Sequence, residues 1–382
     1  MQTIIPILIF ILILGIVIFV HELGHFMAAR RAGIFVEEFA LGMGPKLIGV
    51  HGKKESLDGQ RTLFSLRAFP VGGFCKMRGM DDVTDDPEGL TNKSIPARAL
   101  VMAGGSLMNF LLAFVLFFFI AMTFGYTDTR VRVVSEGSAG YHAGLMAGDR
   151  ITHINGSRVQ TYEDYAFLMS MYEGQTVTFR VNRGGERLEL TITPLFDERF
   201  DRYIVGFNPV FLFGLADTLP ETGDFRRVRI WEGAANAVGN LASHTTAPFR
   251  LLSRFIGGAP VPEDGGIMGP IGIGGFVTNI YQDLSVAVDD GVIEASDGFI
   301  IGFRWMVTLT AAISVMLGVM NLMPVPALDG ARLVFLAVEA VRKKPIAPER
   351  EAMIHFVGLV SFLILAVFIA YRDIIRLFPG LD

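Results

Sequence analysis

Near the start of the chain, His21-Glu22-Leu23-Gly24-His25 has the residue types and spacing for metal-assisted hydrolysis. Residues four apart share one face of a helix, so His21 and His25 can each offer a ring nitrogen to one metal ion. Glu22 is offset from that pair and suits another task, binding or deprotonating a water beside the metal. The five residues close an apolar run that begins at Ile4 and is long enough to cross a bilayer. Polar groups at such a depth are costly unless they face a polar interior with a role. From position alone, the competing reading is a helix end that snorkels its polar side chains into the headgroups.

A carboxylate to accompany the histidines lies far along the chain, in Asn321-Leu322-Met323-Pro324-Val325-Pro326-Ala327-Leu328-Asp329-Gly330. The two prolines break a helix inside an apolar region and free backbone groups that need partners. Asp329 is the acidic residue beside this break. In isolation it reads as the N-cap of a helix over Ala331–Arg342. Taken with the two histidines, it makes a His₂Asp site for zinc whose fourth position is open to water.

The elements that must position these residues belong to a membrane protein. Of 382 residues, 51% are hydrophobic, with 43 glycines and 32 phenylalanines, and the mean hydropathy is +0.47. That is too apolar for an ordinary soluble globule. A net charge of −5 gives no reason to expect a nucleic-acid partner. The single cysteine, Cys75, excludes an internal disulfide and a cysteine-based zinc knuckle. The first segment lacks the basic flank and small-residue cleavage site of a secretory signal, so it reads as retained. Four segments reach spanning length: Ile4–Val20 with a polar extension to His25, Ala99–Phe124, Trp305–Met323 and Met353–Tyr371. Basic residues from Arg30 to Arg98 lie between the first two, and Arg342, Lys343, Lys344 and Arg350 lie between the last two. By the positive-inside rule both connections are cytoplasmic, so both termini and the long middle region are extracytoplasmic and the site faces the cytoplasmic side.

Between the first two spans, Glu38–Val50 and Thr62–Met77 read as glycine-punctuated short strands or hairpins that dip towards the membrane. Asp81–Glu88 reads as a solvated acidic loop. Small residues at Ala103-Gly104-Gly105-Ser106 permit close helix packing, and Asn109 is either interhelical glue or a polar group in a site. Past Val131 the composition turns soluble, with strands at Val131–Val134 and Arg150–Ile154. A helix over Thr161–Tyr172 follows, then a hairpin of Thr176–Asn182 and Arg187–Thr193. Here Ala143-Gly144-Leu145-x-x-Gly148-Asp149-x-Ile151 with Ile154-Asn155-Gly156 resembles a bacterial PDZ domain, a module that takes an extended peptide against a strand edge. Arg226–Gly258 reads as an amphipathic helix on the membrane surface. Gly265–Gly275 reads as too glycine-rich for a helix.

With these motifs in this order, the chain resembles the site-2 protease family of intramembrane metalloproteases, in its RseP-like bacterial branch. The resemblance runs through His21-Glu22-x-x-His25, Gly42-x-Gly44, Pro70-Val71-Gly72-Gly73 and Asn109. It continues through the PDZ pattern, Gly269-Pro270-Ile271-Gly272-Ile273 and Asn321-x-x-Pro324-x-Pro326-x-Leu328-Asp329-Gly330. It implies His21, His25 and Asp329 as ligands of Zn²⁺, Glu22 as catalytic acid/base and Asn321 beside bound substrate. Gly42 and Gly44 would mark an edge strand that straightens substrate, with Asn109 as a further candidate contact. Ser106, where the family has proline, and Ala331, where a second glycine is common, depart from the pattern in helix geometry rather than in chemistry.

The expected fold is a polytopic α-helical membrane protein with about four transmembrane helices, a membrane-dipping β-hairpin and an inserted extracytoplasmic PDZ domain. Its expected parts are an N-terminal membrane region (1–125), the PDZ domain (126–210), a linker with an amphipathic helix and a glycine-rich segment (211–300), and a C-terminal membrane region (301–382). The expected function is zinc-dependent cleavage of transmembrane segments in single-span membrane proteins, such as anti-sigma factors or remnant signal peptides, in a bacterial inner membrane. Its partners are then those substrates, the lipid bilayer and a peptide or protein ligand of the PDZ domain. The alternatives are a membrane-tethered PDZ scaffold with a structural or vestigial metal site, and a metal transporter. An intact Glu22 argues against the scaffold, and four spans without an inverted repeat argue against the transporter.

Overall fold

A computed structural model describes residues 4–80, 85–172, 174–198, 202–215, 226–256 and 270–377. The chain divides into two compact units, Met1–Ala113 with Met268–Asp382, and Phe114–Ile267.

In the first unit, helix α1 (Ile4–Arg31) carries the apolar run straight through both histidines to a basic last turn of Arg30 and Arg31. Those charges suit the negative end of the helix dipole. The helix stops in a Schellman-type turn, with Gly33 N–H bonded to Arg30 O and Ile34 N–H to Ala29 O. The helix thus runs beyond the sequence reading, because this closure lies after the last charged turn and not at the polar motif.

Two long strands follow, β1 (Val36–Glu55) and β2 (Arg61–Met77), where the sequence suggested several short ones. They fold on each other repeatedly: Phe39 is registered against both Cys75 and Phe64, and Leu41 against both Gly73 and Leu66. Gly42 and Gly44 form the corner that allows this, at φ +88° and +82°, where a side chain would be strained. A Cβ on Gly42 would also stand 2.6 Å from Phe69 O. The expected edge strand at Gly42–Gly44 is therefore corrected to a corner, and the segment before it has strand partners on both sides. Below the hairpin, Arg78 is buried against the Phe35 ring and bonded to Asp86 at 2.6 Å and Asp58 at 3.1 Å, joining the hairpin to the loop ahead of the next helix. Of the expected acidic loop, residues 81–84 lie outside the described residues.

Helix α2 (Ile95–Phe124) crosses from the first unit into the second. There β3 (Tyr126–Val134) begins a β-rich domain that continues through α3 (Ala139–His142), β4 (Arg150–Ile154) and β5 (Ser157–Arg158). Helix α4 (Tyr162–Met171), β6 (Val177–Arg183), β7 (Glu186–Ile192), β8 (Leu195–Asp197), β9 (Arg202–Ile204) and β10 (Phe207–Leu212) complete it. Its main sheet runs β10-β3-β4-β6-β7, with β5 on β4. Val131, Ile151, Ile154, Phe179 and Val181 are buried to 1% exposure or less and form its centre. Burial alone would raise the Asp149 carboxyl. Two bonds from Arg183, at 2.7 and 2.8 Å, and one from Met146 N–H hold it below the usual carboxylate range.

Thr161 caps α4 in a reciprocal box with Asp164. The same Asp164 carboxylate accepts bonds from Ser243 and Arg250 of helix α5 (Ile230–Ile256), which anchors that helix to the domain.

Helix α6 (Pro270–Asp289) overturns the reading of the glycine-rich stretch as non-helical, while residues 265–269 lie outside the described residues. Gly272 offers its N–H to the buried carboxylate of Asp373 at 2.8 Å, and a Cβ there would stand 3.0 Å from the same group. Tertiary capping and packing override weak helix propensity at this point.

The remaining helices are α7 (Ala295–Leu322), α8 (Asp329–Arg342) and α9 (Pro348–Leu377). Among the described residues, α1, α2, α7 and α9 are long and apolar enough to cross a membrane. The protein is a multi-pass membrane protein with a β-rich domain inserted between its second and third spans.

Candidate metal centre

His21 and His25 lie on the face of α1 that packs against α2, with Gly24 between them. The two helices cross at backbone contact. A Cβ on Gly24 would strike the Gly104 carbonyl, and one on Gly105 would stand 2.5 Å from His25 Nε2 and 2.7 Å from His21 Nε2. The glycine pair therefore leaves an open space directly over both ring nitrogens. Small residues that the sequence marks only for helix packing thus also set the room at the site.

The third donor arrives from the proline break. Helix α7 ends at Leu322, and the chain turns through Ala327, at φ +77°, before α8 begins at Asp329. Two groups of α9 brace this turn. His355 Nδ1 accepts the Ala327 N–H at 2.9 Å, and Gly358 lies so close to Pro326 that a Cβ would collide with it. The N-cap reading of Asp329 is overturned: the cap position is Leu328 and makes no side-chain bond, while the Asp329 carboxylate reaches the histidines. Its Oδ2 is 3.1 Å from His25 Nε2 and 3.3 Å from His21 Nε2, and the two nitrogens are 3.2 Å apart. Four ligands about 2.0 Å from a tetrahedral zinc are separated by about 3.3 Å, so these three atoms have the spacing of one face of such a site. The orientation of His25 also fits, because its Nδ1–H donates to Val101 O at 2.8 Å and leaves the Nε2 lone pair towards the other donors.

A cavity of about 400 Å³ opens on this cluster. Glu22 lines it beside the two histidines, and Cys75 is on the same lining. The strand segment at its wall is Gly73–Met77, which is registered against Val36–Leu41 of β1. Asn321 is on the wall too, with one amide hydrogen spent on Leu317 O at 3.0 Å. Of the expected residues, His21, Glu22, His25, Asn321 and Asp329 come together around this cavity, whereas Gly42 and Gly44 do not line it. Asn109 is wholly buried behind His21, with its Nδ2 3.2 Å from His21 Nδ1, and is also absent from the lining.

Sequence reasoning missed Gly105, His355 and the site-facing role of Gly73–Met77. A histidine inside a spanning segment is a signal that could have drawn attention to His355. The other two depend on contacts between distant segments.

The model of peptidase family M50 matches residues 9–365. A chain of Clostridium acetobutylicum, provisionally named a zinc metalloprotease, is 31% identical over 369 residues, covering 97% of each chain. The zinc metalloprotease RasP of Geobacillus kaustophilus is 27% identical over 463 residues, covering 99% of each. Among solved structures, the PDZ domain of an SdrC-like protein from Listeria innocua is similar, at 26% identity and a TM-score of 0.19. That match covers 22% of this chain and 92% of the other.

Proposed function

The chain belongs to peptidase family M50 and is a metalloprotease, and from that premise we propose that it cleaves the membrane-spanning segments of single-span membrane proteins. The observation that carries the proposal is the tetrahedral spacing of the His21, His25 and Asp329 donor atoms, drawn from α1 and α8, with Glu22 on the same cavity. In this reading those three residues hold zinc, and Glu22 is the acid/base.

Zinc in such a site supplies Lewis acidity for the scissile carbonyl and acidifies a water molecule. Glu22, on the cavity beside the two histidines, takes the proton of the attacking water and returns it to the departing amine. A substrate helix hides its carbonyls in i→i−4 bonds and must be unwound locally before attack. Gly73–Met77 forms a wall of the cavity along which an extended segment can lie, and Asn321 can give its second amide hydrogen to that segment. Peptide binding by the β-rich domain belongs to the same proposal.

Purified protein should carry about one zinc per chain, and a chelator such as 1,10-phenanthroline should remove cleavage of a single-span test protein. Restored zinc should restore cleavage. Full cleavage by metal-free protein would refute the reading.

The basic residues support an orientation with the α1–α2 and α8–α9 connections in the cytoplasm and both termini and the β-rich domain outside. Single cysteines at Lys53 and Lys343, in a Cys75→Ser background, should resist an impermeant thiol reagent applied to intact cells, and one at Arg158 should react. Labelling at position 53 from outside would reverse the orientation.

A further inference from the structure

We infer that Asn109 is a positioning residue for His21. Its carboxamide oxygen accepts the Nδ1–H of His21 and holds the ring in the tautomer whose Nε2 lone pair faces His25 and Asp329.

The two histidines are built differently. His25 has its Nδ1 fixed by a backbone carbonyl, Val101 O, which can only accept. That leaves no choice of tautomer. His21 meets a side-chain amide instead, and an amide can present either its oxygen or its nitrogen. If the nitrogen faces His21, Nδ1 must be the acceptor, and the neutral ring then carries its hydrogen on Nε2. That hydrogen would lie between His25 Nε2 at 3.2 Å and Asp329 Oδ2 at 3.3 Å, in the space the ion needs. The same orientation leaves Asn109 Oδ1 buried and without a partner. A half-turn about Cβ–Cγ reverses the arrangement: the oxygen receives the Nδ1–H, and Nε2 is free to bind.

The surroundings suit a fixed orienting group. Asn109 is 0% exposed, so substrate in the cavity cannot reach it without displacing helices. Its backbone carbonyl accepts the Ser314 hydroxyl of α7 at 2.8 Å, which pins this turn of α2 at its other face. Asn109 lies one turn beyond Gly105, so the same stretch of α2 supplies both the open space over the ring nitrogens and the group that turns one ring towards it.

The inference rests on the metal-site reading above, and its test is read by metal binding rather than by cleavage. Zinc affinity of the purified full chain is measured by competition with a chromophoric chelator for the parent, Asn109→Leu and Asn109→Asp. Melting is recorded with and without zinc. Asn109→Leu keeps the volume and loses the acceptor, so zinc affinity should fall by roughly 10- to 100-fold. Its metal-free melting temperature should stay near the parent value, with the loss confined to the zinc-induced rise. Asn109→Asp keeps an acceptor oxygen in place and should bind zinc within a few-fold of the parent.

Parent-like affinity in Asn109→Leu would overturn the inference, as would equal losses in both variants, which would mean that the amide nitrogen is the group required. A Leu variant whose metal-free melting falls as far as its zinc-induced rise would make Asn109 a packing residue. A parent that binds no zinc would refute the metal site itself, an outcome distinct from all of these.

Discussion

Glu22→Gln is expected to lower cleavage of a single-span substrate by roughly 10²-fold or more while the purified protein keeps about one zinc per chain. Glutamine has nearly the shape of glutamate, and both histidines and Asp329 remain, so the donor cluster is intact. The amide can still meet the polar wall of the cavity, but it cannot take a proton from water. The loss should therefore appear in turnover, with substrate affinity little changed. This variant also separates the enzyme from its alternatives. A structural site in a tethered scaffold has no use for a base, and a transporter would move metal without cutting peptide. Full cleavage by the Gln variant would remove Glu22 from the chemistry.

Gly105→Ala is expected to act as strongly through a different link, the packing of two helices. Its Cβ would fall 2.5 Å from His25 Nε2 and 2.7 Å from His21 Nε2, distances that side chains do not tolerate. The helices cannot separate cheaply, because Gly24 and Gly104 already hold their backbones in contact. The rings must rotate away, or the methyl group occupies the space of the ion. In either case zinc affinity should fall by on the order of 10²-fold or more, and cleavage with it. Gly15→Ala on α1 is the control, since nothing lies within 4 Å of a Cβ at that position. Zinc binding equal to that of the control would show that the crossing has slack and that the glycine serves packing alone.

Much of this site is legible in the sequence because its two halves are each local. His21 and His25 share a helix face by periodicity, Glu22 follows from the same spacing, and the apolar run explains why polar residues there need a purpose. The prolines beside Asp329 announce a break at membrane depth, and the strand and helix signals of the β-rich domain are set by residues within a few positions of one another. Arg150–Ile154 is a strand in both readings, and Thr161 caps the helix that was expected to begin there.

What the tertiary structure decided is every relation between segments far apart in the chain. It gave Asp329 to the histidines rather than to its own helix, because the turn through Ala327 is held by His355 and Gly358 of α9 in the position that brings the carboxylate to the ring nitrogens. It made a helix of Pro270–Asp289, whose glycines disfavour one, because Asp373 from α9 caps its first turn. It turned Gly42 and Gly44 into a corner and brought Gly73–Met77 to the cavity, since β-register depends on which strand lies alongside. Asn109 is the clearest case. An asparagine in an apolar helix must find a partner, but only the crossing of α1 and α2 determines that the partner is His21.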